Sequence, residues 1–413
     1  MAEILPPHHP GRPAGPLRSR LELIIILGSM TSFAPLGTDM YLPALPTLQR
    51  VFGASSLAVQ ATLSAFFAGF AVGQLVFGPI TDRFGRRPPL YAGLLLFVAA
   101  SLGCALAPSV EILTGLRFVQ AFGACAGGVI ARAMVRDLFD PRESARIYGA
   151  LMLVTGLAPM LAPLIGGQLL VHFGWPAIFI LMSAMALLCL AAAHLRLPET
   201  HRPENVHSPN VLRIARSYGR LLGHRAYLGF ALTSACSMGG VFAYIAGSPF
   251  VFIELHQVSP EHFGWIFGLN ASGFVIMAQV NGRVVQRLSP QTLLRAGTLA
   301  QLAAALTLLL TALTGFGGVW GIGVPLFCFI ATIGIVLPNS AALAMAPHGA
   351  NAGLASALLG VVQFGAGGLV VLLVGSLDNG TAVPMAAVMS LCAVSGFIFC
   401  RAIALASRSR PAP

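Results

Sequence analysis

The sequence contains few charged residues and no lysine. Asp, Glu, Lys and Arg make up only 9% of its 413 residues, whereas soluble globular domains average about 25%. That shortage excludes an ordinary soluble enzyme, and it also excludes intrinsic disorder, which requires low hydrophobicity and high charge. The net charge of +11 arises from 24 arginines and 13 acids. A basic chain can bind nucleic acid, but one that is 56% hydrophobic is too apolar for that class, so we predict no nucleic-acid partner.

Sequence patterns for catalysis and for cofactors are missing as well. The chain has no His-Glu-x-x-His, Gly-x-Ser-x-Gly or nucleotide-binding loop, which argues against zinc hydrolases, serine hydrolases and ATP-driven pumps. Its seven cysteines all fall in apolar runs, and we interpret them as small packing residues rather than disulfides or metal ligands. We therefore predict a protein that is not an enzyme and has no metal or cofactor.

What the sequence does contain is twelve long apolar runs. A hydrocarbon core of roughly 30 Å takes about 20 helical residues to cross, and each run approaches or exceeds that length. We therefore predict an all-α membrane protein with twelve transmembrane helices. The runs cover residues 21–43, 58–80, 89–107, 111–134, 146–171, 175–195, 226–253, 262–282, 291–313, 319–346, 353–377 and 382–404.

The arginines lie almost entirely on one side of these runs. If the N-terminus is cytoplasmic, 22 of the 24 arginines fall in cytoplasmic segments, while Arg50 lies outside and Arg117 lies within a run. The positive-inside rule then predicts that both termini are cytoplasmic. Residues 1–20 have no cleavable pattern, so we expect the first span itself to serve as the export signal.

A polar segment with six arginines divides the runs into two sets of six. Short patterns recur between the halves: Tyr41 and Pro46 reappear 203 residues later as Tyr244 and Pro249. Two pseudo-symmetric six-helix bundles that face each other are the architecture of an alternating-access transporter. The predicted divisions are a tail at 1–20, a bundle at 21–195, a cytoplasmic linker at 196–225, a second bundle at 226–404 and a tail at 405–413.

The loop between the second and third runs combines glycine and charge in a fixed pattern. Gly85 can supply the backbone freedom for a tight turn, and Asp82 can favour a helix N-terminus and pair with an arginine. Asp137, at the end of the fourth run, is a further acidic partner. The loop resembles motif A of the major facilitator superfamily, which implies a latch between the two halves on the cytoplasmic side. The motif residues are Gly78, Asp82, Arg83, Gly85, Arg86 and Arg87.

Two charged residues remain well inside the predicted spans, Asp39 in the first and Arg117 in the fourth. Burial disfavours a charged carboxylate, so Asp39 can bind a proton on one side and release it on the other; the alternative is a structural acid near the outer interface. Arg117 and Gln120 resemble motif B of proton-coupled members, and snorkelling to the outer headgroups is the alternative for Arg117. We expect Asp39 and Arg117 to form a charge pair that couples proton movement to transport.

Small residues and prolines recur along the fifth run. They resemble motif C, the antiporter signature, although Ala158 and Ala162 replace two of its glycines. Small residues at this spacing permit close helix packing and a kink, which generic packing would also explain. The motif residues are Gly149, Pro159, Pro163, Gly166 and Gly167.

Polar and aromatic side chains inside the runs are the candidates for substrate contact. Any one of them can equally be a hydrogen-bonding residue of helix packing. The candidates are Tyr41, Gln60, Gln120, Tyr244, Asn270 and Asn339.

Taken together, these segments resemble the twelve-span drug:proton antiporters, and four stretches are most similar to the bicyclomycin/chloramphenicol-resistance (Bcr/CflA) branch. The resemblance implies export of small amphipathic drugs against inward proton flow across a bacterial inner membrane. We expect a monomer whose partners are the drug, the proton and the lipid bilayer. The four stretches are 37–46, 60–88, 116–139 and 337–368.

Three alternatives remain at this point. A transporter of the same fold for an amino acid, dipeptide or sugar would share the machinery and differ in substrate. A membrane sensor or scaffold would need a larger soluble part than the linker at 196–225. An intramembrane enzyme would have to work with Asp39 as its one buried acid.

Overall fold

The structure, a computed structural model, describes residues 20–200, 211–347 and 352–408. Most of the predicted tail 1–20, the middle of the predicted linker and the end of the tail 405–413 lie outside this part. All regular elements of the described ranges are helical. The α-helices are α1 (Arg20–Asp39), α2 (Leu45–Phe52), α3 (Ser56–Phe84), α4 (Arg87–Ala105), α5 (Val110–Leu138), α6 (Pro141–Phe173), α7 (Pro176–Arg196), α8 (Val211–Gly223), α9 (Arg225–Pro249), α10 (Pro260–Val284), α11 (Pro290–Thr314), α12 (Gly318–Met345), α13 (Ala352–Ser376) and α14 (Val383–Arg408).

Twelve segments of the described chain are long and apolar enough to cross a membrane, which confirms the predicted twelve-span, all-α fold. The first span combines α1, a 3₁₀ turn at Leu42–Ala44 and α2. The seventh combines α9 with a π-helical turn at Phe250–Leu255. The protein is therefore a multi-pass membrane protein.

The first and seventh spans both leave α geometry next to a proline, although the 203-residue offset does not align the two turns. Pro43 lies in the 3₁₀ turn, and Pro249 directly precedes the π turn. Proline removes an intrahelical hydrogen bond and clashes with the preceding turn, and short π segments often mark functional positions. Tyr41 and Tyr244, the residues related by the 203-residue repeat, each lie a few residues before these prolines.

Helix packing follows the same plan in both halves. In the first half α1 packs on α5, α6 and α7, and in the second half α9 packs on α12, α13 and α14. The pairs α3–α5 and α4–α7 likewise correspond to α10–α12 and α11–α14. Between the halves, α3 packs on α13 and α6 packs on α10, which are also equivalent pairs. The two bundles are therefore pseudo-symmetric, as the repeat predicts.

The two halves meet at the end of the molecule opposite the motif A loop, which we call the outer end. There the 3₁₀ turn of the first span contacts α9 and α10, and α2 contacts the π turn of the seventh span. The loop ends of α6 and α10 also meet, where Gly167 lies against the backbone of Pro260. The structure is thus closed between the halves at its outer end.

The predicted linker contains a helix that the sequence interpretation did not include. Helix α8 packs on α9 and α13, and its Leu221 is buried among apolar residues of the second half. Apolar residues and arginines alternate at helical spacing along α8, so one face can be buried while the other stays charged. Helix α14 similarly extends to Arg408, into the predicted tail.

All seven cysteines lie within membrane-spanning helices and are free. Five are buried, Cys236 is half-buried, and Cys328 is exposed. The buried ones act as small packing residues. These five are Cys104, Cys125, Cys189, Cys392 and Cys400.

Candidate functional site

Arg117 is held in a cage of aromatic rings inside the first half. Its side chain is fully buried, and its guanidinium carbon lies 4.2 Å from the ring centre of Phe66 and 4.5 Å from that of Tyr41. The ring of Phe179 lies 5.9 Å away. Aromatic faces attract a cation more strongly when water is excluded. The cage therefore stabilises the arginine charge without a carboxylate.

The hydrogen bonds of Arg117 satisfy only part of its guanidinium. Nη1 donates to Oε1 of Gln120 at 2.6 Å, and Nε2 of Gln120 donates to Oγ of Ser101 at 2.7 Å. Nε and Nη2 of Arg117 are buried without a hydrogen-bond partner. A buried cation with free donors is costly, which is typical of a functional position rather than of simple packing. We call Arg117, its three rings and Gln120 the arginine site.

Asp39 lies outside the arginine site. It ends α1, is only 4% exposed, and comes shortly before the 3₁₀ turn that contacts the second half. The expected ion pair between Asp39 and Arg117 is not formed in this structure, where the aromatic rings and Gln120 hold Arg117. The ion pairs among the described residues are Arg86–Asp82, Arg86–Asp137 and Arg196–Glu22.

Two of the predicted substrate residues lie together in the second half, opposite Asp39. Nδ2 of Asn270 donates to the hydroxyl of Tyr244 at 3.1 Å, and both residues are 2% exposed. The Tyr244 ring stacks on Phe267 with 5.1 Å between ring centres. Asp39, Tyr244 and Asn270 form what we call the junction site, where an acid of one half faces hydrogen-bonding groups of the other.

The other predicted substrate residues lie elsewhere. Tyr41 and Gln120 belong to the arginine site, and Gln60 lies where α3 packs on α13. Nδ2 of Asn339 donates to Oδ1 of Asn281 at 2.6 Å, joining α12 to α10. The six residues therefore do not share one cavity. Within the described ranges, no cluster of three or more His, Cys, Asp or Glu side chains is placed to hold a metal ion.

Four phenylalanines between α3, α9 and α13 join the halves, and the sequence interpretation missed them. The ring centre of Phe67 lies 4.1 Å from that of Phe242, and Phe364 lies 4.6 Å from Phe70 and 5.5 Å from Phe242. We call these rings the aromatic bridge. No sequence pattern indicated these contacts, although the offset of 203 residues relates one of the rings, Phe242, to Asp39.

Arg86 is the centre of the motif A network. Its Nη1 donates to Asp82 and its Nε donates to Asp137, each at 2.8 Å. Burial alone would lower the pKa of Arg86, but the hydrogen bonds and charges of Asp137 and Asp82 outweigh it and raise that pKa. Gly85 has φ +82°, a conformation that favours glycine. The chain can therefore turn sharply between α3 and α4.

The remaining motif A residues make contacts within the first half. Arg83 lies over the ring of Phe84 at 5.2 Å, Nε of Arg87 donates to the hydroxyl of Tyr91 at 2.7 Å, and Gly78 lies within α3. The hydrogen bonds of this motif between described residues reach α3, α4, α5, α7 and the chain after α7. The latch between the two halves that the motif implies therefore stays a prediction.

Glu199 is a functional candidate that the sequence interpretation missed. Its two carboxylate oxygens accept the backbone N–H groups of Arg86 and Arg87 at 2.8 and 2.9 Å. This acid, rather than Asp82, therefore caps the N-terminus of α4, where a negative charge is favourable. The hydroxyl of Thr200 donates to Asp137 at 3.0 Å. The start of the linker is thus fastened to the motif A loop, a long-range contact that no local pattern signals.

Replacing Glu199 by glutamine should weaken this attachment. An amide can accept only one of the two N–H groups, and it carries no charge. Because Glu199 is exposed, we expect the free energy of unfolding to fall by only about 1 kcal/mol. We expect the midpoint of thermal unfolding of the purified protein to fall by about 1–3 °C. Glu254→Gln, at an exposed acid of the outer end, is the matched control. Equal shifts in the two variants would contradict the assigned cap.

The motif C residues lie on α6, which contains both prolines. Gly166 packs on the backbone of Met40 and Gly167 on the backbone of Pro260, so that neither position has room for a Cβ atom. Gly149 on the same helix has open space around its Cα. The paired glycines thus allow the closed outer end, since Gly167 carries the contact between α6 and α10.

The sequence of the chain matches one protein family and bacterial transporters named as such or by drug resistance. The family model described as Major Facilitator Superfamily matches residues 27–372. The chain is 38% identical over 382 residues to an uncharacterized MFS-type transporter, YdgK, of Bacillus subtilis, covering 92% of this chain and 94% of the relative. It is 33% identical to a bicyclomycin resistance protein homolog of Haemophilus influenzae, covering 91% and 94%.

The fold is similar to that of solved transporters. The structure of a peptide transporter, POT, in complex with sulfate matches with a TM-score of 0.78 and 16% identity. The match covers 96% of this chain and 97% of that structure.

Proposed function

The chain belongs to the major facilitator superfamily, in its bicyclomycin/chloramphenicol-resistance branch, and on that basis we propose that it is a proton-coupled drug exporter. Its substrates would be small amphipathic antibiotics resembling bicyclomycin and chloramphenicol. The name of the Haemophilus influenzae relative supports the first of these, and the sequence resemblance supports both. We place the protein in a bacterial inner membrane with both termini in the cytoplasm, because 22 of its 24 arginines then lie inside.

The observation that carries this proposal is the location of Asp39. Among the acids of the described residues, it is the one that is buried, and it lies three residues before the 3₁₀ turn that contacts α9 and α10 of the second half. No hydrogen bond of the described chain uses its carboxylate, so a proton can bind there without breaking one. An ionisable group inside a membrane protein is expensive and typically belongs to an ion or proton pathway.

We infer a cycle in which the halves rock about the junction site. When the outer end is open, Asp39 takes a proton from outside. When the outer end is closed, as here, Asp39 releases it towards the cytoplasm and the site binds the drug beside Tyr244 and Asn270. Arg117 tunes the affinity of Asp39 for the proton during the cycle, although the two side chains do not pair in this structure. One proton crossing a potential of 100 mV supplies about 2.3 kcal/mol for drug export.

A transport assay tests the proposal directly. Purified protein in liposomes should accumulate labelled chloramphenicol or bicyclomycin when a proton gradient is imposed, and should release protons when the drug is added on the opposite side. A panel of amino acids, dipeptides and sugars serves as the comparison. If a metabolite moves protons and no drug does, the protein is a metabolite transporter of the same fold, and the drug-export proposal is wrong.

A further inference from the structure

Helix α8, on the arginine-rich side of the molecule, has one face fixed to the second half. Its Leu221 is 5% exposed and packs in a cluster with Tyr227 of α9 and Leu358 of α13. The hydroxyl of Tyr227 donates to the backbone oxygen of Ala355 at 2.7 Å, which ties the starts of α9 and α13 together. Helix α8 therefore moves with the second half.

The opposite face of α8 is basic, and no described part of the chain covers Arg216 and Arg220 there. Arg216 and Arg220, one turn apart, are exposed, and Arg225 at the start of α9 is exposed as well. None of the ion pairs of the described residues uses these arginines. The face thus presents two cations of α8, and Arg225 adds a third at the start of the seventh span.

We propose that this face docks on the anionic phospholipid headgroups of the inner leaflet. A helix with arginines on one side and apolar residues near the boundary is suited to the membrane surface, where the cations bind lipid phosphates and the apolar side chains enter the headgroup region. Anionic leaflets attract each nearby arginine. Charge complementarity favours phospholipid, because α8 is joined by His224 alone to the start of the seventh span, which brings the exposed arginines next to the headgroup layer.

The docked helix would hold the inner end of the second half to the membrane surface. Only His224 joins α8 to α9, and its ring accepts the backbone N–H of Tyr227 at 3.3 Å. A displacement of α8 would therefore also displace the start of α9. This inference does not depend on which substrate is transported.

Hydrogen exchange of the full-length protein in nanodiscs tests the docking. The probes are nanodiscs of phosphatidylcholine alone and of phosphatidylcholine with 40% phosphatidylglycerol, and the readout is the exchange rate of the amides of 211–223. Each arginine near an anionic surface is worth about fivefold in the bound population. Arg216 and Arg220 together should therefore slow exchange about 25-fold in the anionic nanodiscs.

Three variants and a soluble anion complete the experiment. R216Q/R220Q should lose most of this slowing, whereas R216K/R220K should keep it because the charges remain. R283Q/R287Q removes two exposed arginines, one from the last turn of α10 and one from the loop after it, and this variant should also keep the slowing. Equal exchange of the wild type in both nanodiscs, or equal loss in the R283Q/R287Q control, would overturn the proposal. So would glycerol phosphate reproducing the slowing in neutral nanodiscs, since the ligand would then be a free phosphate.

Discussion

Asp39→Asn should abolish drug-driven proton movement while leaving exchange of drug for drug. Asparagine keeps the size and polarity of the side chain but cannot bind and release a proton, and Asp39 is the one buried acid of the described residues. We expect substrate-driven proton flux in proteoliposomes to fall at least about 100-fold, because no second buried carboxylate can take over. Counterflow of labelled drug should remain within about threefold, since it needs alternating access but no net proton transfer.

Glu111→Gln is the control for this experiment. Glu111 is an exposed acid at the start of α5, so the variant removes one negative charge without touching the interior. It should transport protons and drug as the wild type does. If Asp39→Asn retains the parental proton flux, another group carries the proton and the proposed role of the junction site is wrong.

Gly167→Val should prevent the outer end from closing. A side chain at this position would overlap the backbone of Pro260 where α6 of one half meets α10 of the other. Overpacking of this kind costs about 1–3 kcal/mol, and each 1.4 kcal/mol changes an equilibrium tenfold. The closed state should therefore lose about a factor of 10 to 100 in population. Drug transport should fall in proportion, because the cycle passes through that state.

The same substitution at Gly149 separates this effect from a general effect of valine in α6. Nothing lies within 4 Å of a Cβ atom built at Gly149, so Gly149→Val should transport nearly normally. Spin labels at Val51 and Leu255, two exposed positions of the outer end, report the opening as a longer distance. A Gly167→Val protein with the wild-type distance distribution would show that the α6–α10 contact does not control closure.

The twelve spans and their symmetry could be predicted because they depend on composition and period alone. A span needs about 20 apolar residues, and the repeat of Tyr41 and Pro46 at Tyr244 and Pro249 requires only counting. The partners of Arg86 could also be predicted, since Asp82 lies four residues away and Asp137 ends a neighbouring span. Spacing along the chain and the order of the spans are enough to suggest both contacts.

The arrangement around Arg117 could not be predicted in the same way. Position along a helix gives the depth of a side chain in the membrane, but not the direction in which a long, flexible arginine points. Phe66 and Phe179 come from helices α3 and α7 and meet Arg117 only through tertiary packing. Glu199 was missed for the same reason, because its partners, the N–H groups of Arg86 and Arg87, lie more than 100 residues earlier.

The 203-residue repeat relates Asp39 of the first half to Phe242 of the second. The first position now has an ionisable carboxylate, while its duplicate is a ring of the aromatic bridge. The duplicated position thus has two chemistries, one side chain that can carry a charge and one that cannot. The two halves are therefore alike in fold but not interchangeable in the polar chemistry of their first spans.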